Sequence, residues 1–270
     1  MRTSIIISFY ERLDFLRCCL DALKISASDF NEVVIADDGS SEETVSKLKK
    51  MINLYNFPIV HAWQPKNGFR LAASRNNGIR LASGDYFIFL DCDFLVLPGT
   101  LKCHLNAAKP ARFVAGYLKY MTADQTKSIL QINITESSLD EYYRQLPDKP
   151  VWKEHRRYIK YAILRKLHLA SIRKQHLSSH FSIHRCDMER VNGYDENFVG
   201  WGGEDEDIAL RFAKAGFTGY SVIHETRVLH LWHLKEMGDR HWKEGPNISY
   251  LTRKEIPYYC ENGLFKKSAQ

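Results

Sequence analysis

Four short apolar runs alternate with amphipathic segments along residues 3–91, and polar side chains follow each run. The runs are "SIIISF" (Ser4–Phe9), the strand Val33–Ala36 within "EVVIADD", "PIVHAW" (Pro58–Trp63) and "DYFIFLD" (Asp85–Asp91). Apolar, β-branched and aromatic runs of this length read as buried strands. Between them, "ERLDFLRCCLDALK" carries Leu13, Leu16, Leu20 and Leu23 at helical spacing. A second helix starts at Ser40 or Ser41, with acids in its first turn. "GFRLAASRNNGIRLAS" (Gly68–Ser83) reads as a third. Strands and helices in alternation imply an α/β fold with a parallel sheet and crossover helices. Such sheets bind ligands at the carboxyl ends of their strands. The polar residues at those ends are Ser8 and Tyr10, Asp37 and Asp38, Asn67, and Asp91 and Asp93.

The pattern changes after residue 95. Leu101–Ala108 reads as a helix and Phe113–Tyr120 as one strand, while residues 121–150 are polar and carry no clear period. "HFSIH" is a strand, "DMERVNGYDENF" a short helix and turn, and "EDEDIALRFAKAGF" a helix that stops at Gly216. Strands follow at Tyr220–His224 and Arg227–Leu231. With 270 residues, no repeat and no linker, the expected architecture is two fused halves sharing one sheet. Residues 1–95 form the first half and 96–270 the second, with a basic helical insertion at about 151–177.

Composition is that of a globular protein, 44% hydrophobic and 26% charged, and the formal charge is +6. The six cysteines have no paired spacing, which excludes a disulfide framework or zinc site and points to a reducing compartment. The N-terminal apolar stretch is too short for a signal-peptide core. No run approaches the ~18 apolar residues of a membrane span. A cytoplasmic protein is the expectation.

Several clusters carry two readings each. Asp91 and Asp93 in "FLDCDF" share one face if the chain stays extended, with Cys92 on the other. They are solvated turn residues or hard oxygen ligands for Mg2+ or Mn2+. In "ADDGSSEET" the acids form a turn before an N-cap, or one of them takes a hydrogen bond from a nucleobase or ribose. His230 and His233 in "HLWH" pack beside Trp232, or complete a carboxylate-bound cation. Residues 151–177 hold eight Lys/Arg against one Glu. That segment is a solvated face or loop, a surface for anionic lipid, or a nucleic-acid site. The absence of a finger motif or RNA-stacking signature argues against nucleic acid. In "FVGWGGEDEDIAL", Glu204, Asp205, Glu206 and Asp207 either start a helix or place a catalytic base beside a binding slot. Asp207 is spaced to pair with Arg211.

In chain order, "IIISFYER", "IADDGS", "RNNGIRLASGDYFIFLDCD", "GYDENFVGWGGEDEDIALRFAKAGF" and a late histidine closely resemble the family-2 type inverting glycosyltransferases of the GT-A fold. The resemblance covers about residues 3–260. "RNNGIRLA", "FLDCD", "WGGED" and "NISYLTRKEIPYY" are similar to bacterial chondroitin-polymerase-like domains. "GWGGEDED" with "HLWH" is similar to the β1,4-galactosyltransferases. The resemblance implies a Rossmann-like mixed central sheet flanked by helices, and Mn2+ or Mg2+ as cofactor. It implies a UDP-sugar donor, bound by residues 1–95, and a glycan or glycolipid acceptor in surface polysaccharide or lipid-linked oligosaccharide synthesis. Ser8 and Tyr10 would line the uridine site, Asp38 would bond uracil, and Arg75 would sit near the diphosphate. Asp91 would face ribose and metal, and Asp93 would ligate the metal. His230 matches the chondroitin-type histidine and His233 the galactosyltransferase-type one. Trp201 would pack on the acceptor, with Gly202 and Gly203 passing close to its ring. Asp205 would be the base and Glu204 would orient the acceptor. The chain departs from the pattern at Ser8, where a proline is usual, and in the basic insertion. Two rival classes are a nucleotidyltransferase-like enzyme and a non-catalytic sugar-binding protein. The first should show a Gly-rich basic loop after strand one, which "SFYERLD" lacks.

Overall fold

The structure, a computed structural model, describes residues 1–171, 177, 180–234 and 244–266. The elements run β1 (Thr3–Phe9), α1 (Leu13–Ile25), β2 (Glu32–Asp37), α2 (Glu42–Ile52), β3 (Ile59–Trp63), α3 (Leu71–Leu81) and β4 (Tyr86–Asp91). They continue with β5 (Phe94–Val96), α4 (Thr100–Ala107), β6 (Arg112–Ala115), β7 (Lys119–Tyr120), α5 (Ala123–Ile129), α6 (Glu136–Gln145) and α7 (Lys149–Lys166). Last come β8 (Phe181–His184), α8 (Arg185–Arg190), α9 (Glu204–Lys214), β9 (Thr218–Ser221), β10 (Val228–His230) and α10 (Ile248–Leu251). A seven-stranded sheet has the order β3-β2-β1-β4-β8-β6-β9, and a three-stranded sheet the order β5-β10-β7.

β1 lies inside the large sheet, paired in parallel with β2 and β4. Its side chains alternate between two cores, as a strand's pleat requires. Ile5 and Ile7 join Leu16, Leu20 and Leu23 of α1, whereas Ile6 packs with Val34, Phe87 and Ile79 of α3. Burying each isoleucine contributes about 1.5–3 kcal/mol. α3 comes close to the sheet because residue 78 is glycine. A Cβ there would stand 3.1 Å from both Ala36 and Ile6 side chains. α2 opens on Ser41, whose Oγ accepts from the Thr44 amide, so the second of the two expected serines is the cap. Both α5 and α6, in the stretch without a readable period, open on capping boxes at Thr122 and Thr135.

The structure corrects four sequence expectations and extends a fifth. Phe113–Tyr120 is not one strand. β6 stays in the large sheet while β7 joins the small one, and Gly116 marks the break. The Gly116 amide donates to His180 O at 3.0 Å, and any Cβ at 116 would collide with the His180 ring. The strand expected at Tyr220–His224 is Thr218–Ser221, because the Glu225 and Thr226 amides turn back to Val222 O. The third helix starts at Leu71 rather than Gly68, since the Arg70 amide is drawn to Asp38. The chain is not extended through Cys92 and Asp93. It turns there between β4 and β5, and both aspartates still reach one cleft. The two halves do share the seven-stranded sheet, to which each contributes strands, but among the described residues a second, three-stranded sheet stands beside it.

The basic segment forms α7, which ends at Lys166; residues 172–176 lie outside the described residues. Val151 and Tyr158 bury one face of α7 in the core. Among the described residues, no helix is long and apolar enough to cross a membrane. All six cysteines are free.

Candidate active site

The register of β1 against β4 sets Ser8 beside Asp91 at the carboxyl ends of neighbouring strands. A cleft of about 250 Å3 opens there. Ser8, Tyr10, Asp38, Asp91, Asp93, Trp201, His230 and His233 all line it. Arg12, Phe69 and Leu71 line it as well, and the sequence reading gave them no role. Asn67 is exposed and outside the lining.

The two acids of "ADDGS" separate by function of position. Asp37 is fully buried; its Oδ1 accepts from the amide and hydroxyl of Ser40, and its Oδ2 stands 2.9 Å from His61 Nε2. That acid closes the turn. Asp38 borders the cleft, where Oδ1 accepts from Gln64 Nε2 at 2.7 Å and Oδ2 from the Arg70 amide at 2.8 Å. The Lys66 ammonium lies 3.4 Å over the Tyr10 ring and 3.9 Å from Asp38 Oδ2. This rim offers a flat ring, a cation and a fixed carboxylate to a planar polar ligand.

Across the cleft, Asp93, His230 and His233 bring their ligand atoms within 4.8 Å of one another. Asp93 Oδ2 is 3.0 Å from His233 Nε2 and 4.0 Å from His230 Nε2. Its other oxygen is buried with no hydrogen-bond partner, which costs free energy unless a cation or donor approaches it. Donating a hydrogen bond to the Asp93 carboxylate holds His233 above the usual imidazole range, against the effect of burial. One carboxylate and two imidazoles fit a divalent transition ion such as Mn2+ better than Mg2+, which prefers an oxygen shell. Asp91, expected as a further ligand, stands outside this group and pairs with Arg75 at 3.1 Å.

Arg75 comes from the middle of α3 and is buried. Its Nη1 donates to Asp205 Oδ1 at 2.9 Å, Nη2 to Asp91 at 3.1 Å and Nε to Ser8 Oγ at 3.0 Å. The guanidinium expected near a diphosphate is thus held by protein groups. Asp205 keeps its side chain 24% exposed. Glu204 beside it is buried, and its carboxyl is pushed up to about 8, first by burial and then by the Asp205 charge, with Arg75 opposing. Glu206 is exposed. Asp207 is fully buried and bonded to Arg211 Nε at 2.7 Å, the pairing expected from spacing.

The loop before α9 depends on glycine. Gly202 and Gly203 have φ of +92° and +100°, the left-handed region that favours glycine. A Cβ on Gly203 would press within 2.9 Å of the Phe198 ring. Asn247 Nδ2 donates to the carbonyls of Gly200 and Gly202 and so clamps both sides of Trp201. Asn247 belongs to "NISYLTRKEIPYY", a motif whose residues had no assigned role. Arg12 is likewise in "FYER"; it stands 3.7 Å from Asp93.

Comparison with known proteins shows the family and the fold. Glycosyl transferase family 2 matches residues 4–181, and the N-terminal domain of galactosyltransferase matches residues 161–234. Validoxylamine A glucosyltransferase of Streptomyces hygroscopicus subsp. jinggangensis (strain 5008) is 30% identical over 225 residues, 79% of this chain and 51% of that protein. Chondroitin synthase of Escherichia coli is 25% identical over 271 residues, 95% of this chain and 38% of that protein. The chain therefore spans about half or less of these relatives. The crystal structure of GalNAc-T7 with UDP, GalNAc and Mn2+ superposes with a TM-score of 0.61 at 16% identity, covering 89% of this chain and 46% of that one. The shared architecture is the GT-A fold. With its match running from the first strand to the eighth, the chain belongs to glycosyl transferase family 2.

Proposed function

We propose that the chain is an inverting, metal-dependent glycosyltransferase that moves a hexose, N-acetylhexosamine or hexuronic acid from a UDP-sugar to a glycan hydroxyl. The observation that carries this reading is one cleft bordered by a three-ligand cluster on one side and the Arg75-bound Asp205 on the other. Residues 1–95 hold the nucleotide, with Tyr10 and Asp38 at the base and Ser8 and Asp91 at the ribose. Residues 96–270 hold the acceptor and supply the base. Asp93, His230 and His233 would hold Mn2+, which offsets charge on the departing diphosphate. Trp201 offers a flat apolar face to an acceptor ring. Asp205 takes the proton from the attacking hydroxyl as the bond to the anomeric carbon forms. The acceptor is a growing surface polysaccharide or lipid-linked oligosaccharide, reached from the cytoplasmic side, where free cysteines persist.

UDP release from a panel of UDP-sugars, with Mn2+ and glycan acceptors, tests the reaction. With inorganic diphosphate supplied, formation of UTP and a sugar 1-phosphate would favour the nucleotidyltransferase class, and binding without turnover a sugar-binding protein. Asp205→Asn is expected to lower turnover by ~10²–10⁴-fold, the usual contribution of a positioned base, while UDP still binds. Near-normal turnover removes Asp205 from that role.

The outer face of α7 supports a membrane partner. Trp152, Ile159, Ile163 and Leu167 are exposed among Lys153, Arg156, Arg157, Lys160 and Lys166. Apolar side chains flanked by basic ones suit an anionic lipid surface. Liposomes with anionic lipid should retain the protein at low salt and release it at high salt. No retention at low salt leaves α7 as a solvated face.

A further inference from the structure

We infer that Arg75 is a positioning residue for Asp205 and does not read the donor's diphosphate; this rests on the reading of Asp205 as the base. The guanidinium is a planar fork whose donors leave in fixed directions. Here each of its three nitrogens is engaged, by Ser8 of β1, Asp91 of β4 and Asp205 at the start of α9. The head lies 5.2 Å from the Tyr194 ring and its side chain is 2% exposed. A diphosphate would have to displace carboxylates from a group that solvent barely touches.

The backbone behind Arg75 is equally fixed. Asn76 exchanges hydrogen bonds with Tyr194, its Nδ2 donating to the carbonyl and its Oδ1 accepting from the amide. Gly78 seats the same helix against β1 and β2. Arg75 therefore carries the position of the sheet's carboxyl edge across to α9. Its bond engages Asp205 Oδ1, while the Asp205 side chain keeps 24% of its surface exposed. The same cation joins Asp91 and Asp205 through one group, so the donor wall and the base keep a set distance.

The test uses the full chain. Arg75→Lys keeps the charge and loses the fork; Arg75→Gln keeps donors and loses the charge, and serves the same comparison should lysine prevent folding. Either is expected to lower kcat by roughly 10²-fold, as a displaced reacting group does. Mn2+-supported UDP affinity by calorimetry should fall far less than kcat, because Ser8 and Asp91 keep their places on β1 and β4. In an Asp205→Asn background the Arg75 substitution should add no further loss, because a residue that acts through another is silent once its partner is gone. UDP affinity falling in step with kcat would overturn the inference in favour of diphosphate binding. So would a full further loss in the double variant. An active Asp205→Asn single variant would instead defeat the base assignment itself.

Discussion

Glu204 and Asp205 are neighbours in sequence with opposite surroundings. Burial raises the Glu204 carboxyl to about 8, so it is neutral at pH 7 and lies beside a carboxylate held by Arg75. An unfolded chain releases that proton near 4.5. Between those values the folded chain holds a proton the unfolded chain has lost, so rising pH lowers stability across that window and the loss levels off above about 8. Glu204→Gln keeps the shape and removes the titration. Between pH 5 and pH 9 its melting temperature should therefore fall less than that of the wild type. Parallel curves would show that Glu204 is ionised throughout. The sequence presents four acids in a row, and spacing picks out the Asp207–Arg211 pair alone. Burial and a partner 130 residues away separate the other three, and neither can be read from local order.

At the scale of elements, α3 and α9 carry the site because each is anchored by buried polar groups. Arg211 of α9 bonds Asp207 and also donates to the carbonyls of Val191 and Gly193. This joins the helix that bears Asp205, the proposed base, to the turn that holds Tyr194. Asp207→Ala leaves Arg211 buried beside an empty place and should destabilise by about 3–5 kcal/mol, the cost of breaking a buried pair. Denaturant unfolding measures it, and a change near zero would mean that the two carbonyls and water suffice. The α3 sequence "RNNGIR" reads as an amphipathic helix, yet its residues divide the work. Arg75 ties the cleft, Asn76 ties Tyr194, Asn77 donates to Gln64, Gly78 meets the sheet and Arg80 donates to Gly263 and Leu264 carbonyls. Periodicity showed the helix; only tertiary contact distinguishes its polar residues.

For the whole molecule, strands β1 to β4 were legible because each is a dense apolar run, and the helices because they fill the segments between those runs, although only α2 has a side-chain cap. The late strands were not. They are short, and Phe113–Tyr120 crosses between sheets at a glycine whose reason is a histidine 64 residues on, in a loop before β8. The second sheet stayed hidden for the same cause, since its strands β5, β7 and β10 have two or three residues each.

That small sheet has a consequence for motion. Asp93 sits in the turn that feeds β5, and His230 closes β10, which pairs with β5 on one side and β7 on the other. An ion gripped by Asp93, His230 and His233 would thus be a fastener across two short strands, whose pairing is continued by the Leu231 amide to Asp93 O and the Leu97 amide to Arg227 O. Mn2+ is expected to slow amide hydrogen exchange at Phe94–Val96 and Val228–His230 while leaving β1 and β2 unchanged, and Asp93→Ala should abolish the effect. Uniform protection over the whole chain, or none, would sever the fastener from the ion. If the proposed site holds Mn2+, the cation would prepare the cleft for a sugar nucleotide by stilling the strands that hold its ligands.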